Sequence, residues 1–169
     1  SDNQISVNWD GYALRWYKNQ LWLSEDKELL QCPAINWTKE RPDIDLGKDV
    51  GQLSLVNSTL YEHQGRPLSH SFPKGEFSVG CRINMKESVN HRGGHHKSLK
   101  NLFQSADIPP WLRNAIPLCR LDGELVALGD WCIAKPFENW LHENGMRLEW
   151  RPVHPLLQFI TKQQHRQKQ

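Results

Sequence analysis

The chain has 169 residues, of which 38% are hydrophobic and 24% charged. That length supports one solid core, or one domain with a smaller appendage, and that balance excludes global disorder. A formal net charge of +2 is too small to mark a nucleic-acid binder, so the distribution of charge has to be read instead. No apolar run approaches the roughly 20 residues that a membrane helix needs. The start from Ser1 to Gln4 is polar and gives no sign of a secretory signal, so a soluble, cytoplasmic protein without a membrane partner is expected.

Residues 12–17 alternate, with Tyr12, Leu14 and Trp16 on one face, and Lys18-Asn19-Gln20 then turn the chain into Leu21-Trp22-Leu23. The pattern predicts a β-hairpin whose Trp16 and Trp22 pack into a core. Residues 24–50 break up around Pro33, Pro42 and a run of charges, an irregular connector pinned by Trp37 and Ile44. A short strand is predicted over 51–56 and a loop over 62–74, where Gly65, Pro67 and Pro73 interrupt any period. Residues 77–85 give the cleanest alternation. Phe77, Val79, Cys81, Ile83 and Met85 point one way, and Ser78, Gly80, Arg82 and Asn84 the other, so Arg82 is expected on a wet face.

The stretch 91–118 organises the rest. Leu99, Leu102, Phe103 and Ala106 fall at i, i+3, i+4 and i+7, which predicts a short helix with one apolar stripe. Lys97, Lys100 and Gln104 lie on another stripe, Ser98 suits the N-cap, and residues 107–110 end the helix at a proline pair. Gly93 and Gly94, lacking Cβ atoms, allow close backbone approach. With Arg92, Lys97 and Lys100 around a helix start, they suggest a seat for an anion. The alternative is a hairpin loop whose charges are merely solvated. Downstream, 109–114 reads as a helical turn, and 116–121, Asp122-Gly123 and 124–128 as a hairpin. Residues 131–134 continue the sheet, 137–143 form a helix closed by Gly145, and 146–150 form a strand. Residues 156–169 begin as an apolar helical turn and then become a polar tail expected to fray.

Catalytic signatures are missing. There is no GxxxxGK[ST] phosphate loop, no GxSxG elbow and no HExxH. The four cysteines, Cys32, Cys81, Cys119 and Cys132, form no CxxC pair, and the last three sit in apolar segments as buried thiols. His91, His95 and His96 are the one metal candidate, but no carboxylate or cysteine stands nearby as a further ligand, so no metal is expected there. Charge is uneven. Acids outnumber bases over 25–49, whereas over 82–106 Arg82, Lys86, Arg92, Lys97 and Lys100 face Glu87 alone, and no acid follows Trp150. Cations, a helix start and close backbone approach are what phosphate contacts require, so nucleic acid is the favoured partner.

Gly93-Gly94, Lys97-Ser98-Leu99-Lys100, Phe103-Gln104, Ile108-Pro109-Pro110-Trp111-Leu112-Arg113 and Ile116-Pro117-Leu118 resemble the C-terminal domain of bacterial tRNA(Ile)-lysidine synthetases. Asp122-Gly123, Leu125-Val126-Ala127 and Trp131 extend the likeness, and Leu14-Arg15-Trp16-Tyr17 with Leu21-Trp22-Leu23 looks like the segment before that domain. The resemblance implies an α+β, small three-layer domain with antiparallel hairpins around a central short helix, similar to one in the phenylalanyl-tRNA synthetase β chain. It divides the chain into a hairpin and interdomain segment (1–74), the domain itself (75–152) and a polar extension (153–169).

The family's enzymes use ATP and Mg to join lysine to the wobble cytidine of the CAU-anticodon isoleucine tRNA. That chemistry belongs to an N-terminal ATP-pyrophosphatase domain whose Ser-Gly-Gly-Lys-Asp-Ser loop is not found in these residues. The resemblance therefore implies a non-catalytic part that needs no cofactor of its own, with tRNA and the catalytic domain as partners. Its tRNA contacts map onto Arg92, Gly93, Gly94, His95, His96, Lys97, Lys100 and Arg113, with Arg82 just upstream. His95 and His96 depart from the arginines common in the family, and a histidine is only partly charged at neutral pH. The alternative is a structural or homodimerising module that buttresses the catalytic domain without touching tRNA.

Overall fold

The hairpin expected near the start of the chain is part of a three-stranded antiparallel sheet, in which β1 (Ile5–Trp9), β2 (Tyr12–Tyr17) and β3 (Gln20–Glu25) pair in that order. The structure is a computed structural model and describes residues 5–26, 30–58, 71–83, 86–90 and 95–168. Both tight turns of this sheet, at Asp10-Gly11 and Lys18-Asn19, hold their central residues at positive φ, the geometry that matches the twist of paired strands. In β2 the buried face is the reverse of the one expected, whereas Trp22 of β3 packs into the core as expected. Ala13, Tyr17 and Trp22 are covered, while Tyr12 and Trp16 are exposed. Both faces of β2 carry aromatics, so alternation alone could not choose between them. The choice is made by Trp111, which meets Tyr17 edge-on at 6.0 Å and Trp22 at 6.3 Å, and by Phe159, 5.6 Å from Trp22.

The connector at 24–50 contains two short strands, β4 (Ile35–Trp37) and β5 (Asp43–Asp45), and buries Trp37 and Ile44 as expected. Next come β6 (Gln52–Asn57), β7 (Phe77–Gly80) and the paired β8 (Ser88–Asn90) and β9 (His96–Ser98). Helix α1 (Leu99–Ser105) leads into a 3-10 turn (Pro110–Ala115). Then follow β10 (Leu118–Leu121), β11 (Glu124–Leu128), β12 (Cys132–Ile133), α2 (Lys135–Glu143), β13 (Met146–Arg151) and α3 (Pro155–Gln167). A five-stranded sheet runs β12-β11-β10-β7-β4 and a three-stranded one runs β13-β6-β5, antiparallel throughout. This is the mixed α+β class with antiparallel hairpins and a short central helix that the sequence predicts. Phe77 ties the layers together, stacked on Trp37 at 5.1 Å and tilted against Phe137 of α2 at 5.7 Å.

Two expectations are corrected. The strand predicted over 77–85 stops at Gly80, which packs against Ala34, and residues 81–83 lie outside the sheet; Asn84 and Met85 are outside the described residues. The tail does not fray, because Leu157, Ile160, Thr161 and Gln164 form a buried stripe at helical spacing along α3. Its two polar members are satisfied. Thr161 Oγ1 donates to Leu157 O at 3.0 Å, and Gln164 Nε2 donates to Ala106 O at 2.8 Å. Among the described residues no helix is long and apolar enough to cross a membrane.

Candidate nucleic-acid interface

Ser88, Val89 and Asn90 pair with Ser98, Lys97 and His96, so β8 and β9 form a two-stranded antiparallel ribbon. The predicted contacts Arg92, Gly93 and Gly94, with the metal candidate His91, lie outside the described residues. Val89 is fully buried and roots the ribbon. Its base is held by Glu87. The Glu87 carbonyl accepts from Leu99 N at 2.7 Å, and its carboxylate takes Ile83 N on one oxygen and Arg120 on the other. Arg120 reaches that oxygen with Nη2 at 2.6 Å and Nε at 3.0 Å, and gives Nη2 also to Cys81 O at 3.0 Å. The two side chains are only 7% and 14% exposed. A register irregularity between Cys119 and Arg120 marks where β10 departs from a regular ladder, as bulges that re-aim a side chain do.

Of the site residues predicted from the sequence, His95, His96, Lys97 and Lys100 are exposed together along the ribbon and the start of α1. Alternation along β9 separates two of them. His96 lines a groove of about 1280 Å3 with Lys74, Lys86, Phe72 and Trp140. Lys97 lines a second groove of about 610 Å3 between Leu102, Trp131 and the end of α3 at Lys168. The cation of Lys168 entered the sequence argument only as part of the acid-free tail. The helix start itself offers little to an anion, since α1 has seven residues, Asn101 N donates to its cap Ser98 Oγ, and Leu99 N is taken by Glu87.

Two predicted contacts are engaged within the protein. Arg113 is 2% exposed, donates Nε to Ile108 O at 3.0 Å and Nη2 to Tyr17 Oη at 3.3 Å, and lies over the Phe103 ring. It staples the N-terminal sheet to the domain and presents no charge to a ligand. Arg82 is half-buried and donates Nε to Asn114 Oδ1 at 2.9 Å, a bond made possible because the chain has left the strand by that point. Sequence alternation had placed it on a wet face.

Burial keeps three of the four thiols protonated. Burial pushes Cys32 up to about 12, with Cys81 adding to the rise and Arg120 opposing it, and burial also raises Cys119 and Cys132. A protonated thiol is neither nucleophile nor ligand. Among the described residues no three His, Cys, Asp or Glu side chains are grouped to hold a metal ion.

The described residues thus place a ribbon bearing His95, His96 and Lys97 beside a short helix bearing Lys100, braced on an antiparallel sheet. Residues 79–150 match the TilS substrate C-terminal domain model. Similar proteins carry the name tRNA(Ile)-lysidine synthase. That of Xanthomonas campestris pv. campestris (strain 8004) is 38% identical over 155 residues, 91% of this chain and 33% of the relative. That of Idiomarina loihiensis is 30% identical over 125 residues, 74% of this chain and 25% of the relative. That of Xylella fastidiosa (strain 9a5c) is 43% identical over 104 residues, 61% and 22%. The chain thus spans about a third or less of the length of these relatives.

Proposed function

We propose that this chain is the tRNA-holding, non-catalytic region of a tRNA(Ile)-lysidine synthase. Lys97 and Lys100 hold backbone phosphates, with His95 and His96 as weaker polar contacts. The observation that carries the reading is the exposure of these four side chains on one ribbon-and-helix unit, fixed to the sheet by the buried Glu87–Arg120 pair. Support for tRNA as the ligand comes from the family match over 79–150 and from the names of the relatives. The whole enzyme is a cytoplasmic ligase acting on the CAU-anticodon isoleucine tRNA. ATP, Mg and lysine are handled by a catalytic domain outside these 169 residues, which carry neither a GxxxxGK[ST] nor a Ser-Gly-Gly-Lys-Asp-Ser loop.

Binding to isoleucine and elongator methionine tRNAs, each followed over a range of salt, tests this. Each lost lysine–phosphate contact should lower the steepness of the salt dependence by about one. Lys97→Ala with Lys100→Ala should therefore weaken binding to both tRNAs and flatten the salt dependence. A folded double variant that binds as tightly and as salt-sensitively as wild type would remove the reading.

A further inference from the structure

The outer face of the N-terminal sheet is apolar from edge to edge. Its register aligns Ile5 with Trp16 and Trp16 with Leu21 in one rung, and Val7 with Leu14 and Leu14 with Leu23 in the next. Ile5, Val7, Leu21 and Leu23 are each 53–65% exposed. A contiguous apolar patch of this kind marks a contact surface, because scattered exposed leucines do not line up in rungs. The inner face is already spent on Trp111, Phe159 and Arg113.

The charges around the patch narrow what can cover it. One end carries Asp10, Glu25 and Asp26, which repel phosphates. At the other end Lys18 is held by Asp107 and by the Gln104 carbonyl. RNA and an anionic lipid surface are both disfavoured.

Size narrows it further. Three strands about 4.8 Å apart and five residues long give a footprint of roughly 15 by 17 Å. A free-standing interface normally needs about 800 Å2 of accessible surface from each partner, a demand that a second copy would have to meet with this small face alone. A surface on the same polypeptide faces no such requirement, because tethering supplies an effective concentration in the millimolar range, and contacts between domains of one chain are commonly small. The relatives are about three times longer than the part this chain matches.

We propose that this sheet face is an interdomain seat, covered in the longer enzyme by an apolar surface of the polypeptide outside these 169 residues. The inference rests on the reading of the chain as part of a longer lysidine synthase, and is independent of whether Lys97 and Lys100 touch tRNA.

Hydroxyl-radical footprinting of the full-length enzyme and of the 169-residue chain tests it. Trp16 and Leu23 should be modified several-fold more slowly in the full-length protein. Val7→Lys with Leu23→Lys should restore fast modification of Trp16 there and expand the particle in small-angle scattering. The same double change should leave the melting temperature of the 169-residue chain unaltered, which separates undocking from misfolding. Equal modification rates in the two proteins would overturn the proposal. So would protection of the 169-residue chain that grows with its own concentration, which would make a second copy the occupant. Lysidine formation by the wild-type full-length protein, measured alongside, reports on the family reading separately, since its absence would sink that reading whatever the footprint shows.

Discussion

Removing the carboxylate of Glu87 should be among the most damaging single changes in the molecule. Glu87→Ala strips Arg120 of its counter-charge while leaving the guanidinium in a site where it is 7% exposed, with Cys81 O as its remaining acceptor among the described residues. Breaking a buried pair by deleting one partner costs about 3–5 kcal/mol, because the remaining charge stays desolvated. The amide of Ile83 loses its acceptor too. Against a typical stability of 5–15 kcal/mol the loss is large, and for a chain of this size it corresponds to a fall of roughly 6–20 °C in melting temperature. Urea unfolding of wild type, Glu87→Ala, Arg120→Met and the double variant closes a double-mutant cycle. The double variant should recover much of the loss, since replacing both partners by apolar groups is often near neutral. The cost should also change little with added salt, because buried pairs are poorly screened. If Glu87→Ala costs under about 1 kcal/mol, the value of an exposed pair, the ribbon is not held from its base and the argument fails.

Arg113→Ala should destabilise by about 2–4 kcal/mol through loss of a buried hydrogen-bond network, yet leave the salt dependence of tRNA binding unchanged in the folded fraction. A flattened dependence would return Arg113 to the interface. The buried thiols predict a fall in stability above pH 9: the unfolded chain loses its Cys32 proton near 9.0 while the folded chain keeps it to about 12, so the native state binds more protons in that window. The slope is up to about 1.4 kcal/mol per pH unit for each such thiol, and urea melts at pH 8 and 10.5 should show a smaller drop for Cys32→Ala than for wild type. Equal drops would refute the burial argument. Gly51→Ala should cost more than the ~1 kcal/mol scale of simple backbone substitutions, since its φ is +84° and a Cβ would sit 2.0 Å from Arg151 O, across the pairing of β6 and β13. A melting temperature within a degree or two of wild type would contradict that geometry.

Local signals were legible where one residue type decides the backbone. Asp122-Gly123 made its hairpin, with both residues at positive φ, Ser98 capped α1, and the proline pair at 109–110 ended the helix and opened a 3-10 turn. What stayed hidden depends on partners distant in sequence. Whether β2 buries Tyr17 or Trp16 is set by Trp111, and whether the glutamine-rich tail is helical is set by Ala106 and the groove it covers. The brace of the candidate site joins residues 33 apart, and no periodicity announces such a pair.

The cations of the site sort by chemistry. The family resemblance put Arg92, Arg113, Lys97 and Lys100 together as tRNA contacts, with Arg82 just upstream, but a guanidinium is weakly hydrated and offers five donors in a rigid fork, so it is the cation most readily drawn into a protein interior. Arg82, Arg113 and Arg120 are each drawn in, by an asparagine amide, by backbone carbonyls, by a tyrosine or by a carboxylate. Lys97 and Lys100, with strongly hydrated ammonium groups, stay outside. Among the described residues, Arg82, Arg113 and Arg120 therefore build the platform, while Lys97 and Lys100 stay available to a ligand. It follows that Lys97→Arg, which keeps the charge, should preserve tRNA binding, whereas Arg113→Lys, which loses the fork, should destabilise the fold nearly as much as Arg113→Ala. If Arg113→Lys is instead tolerated, with urea midpoints matching wild type, this division of labour is wrong.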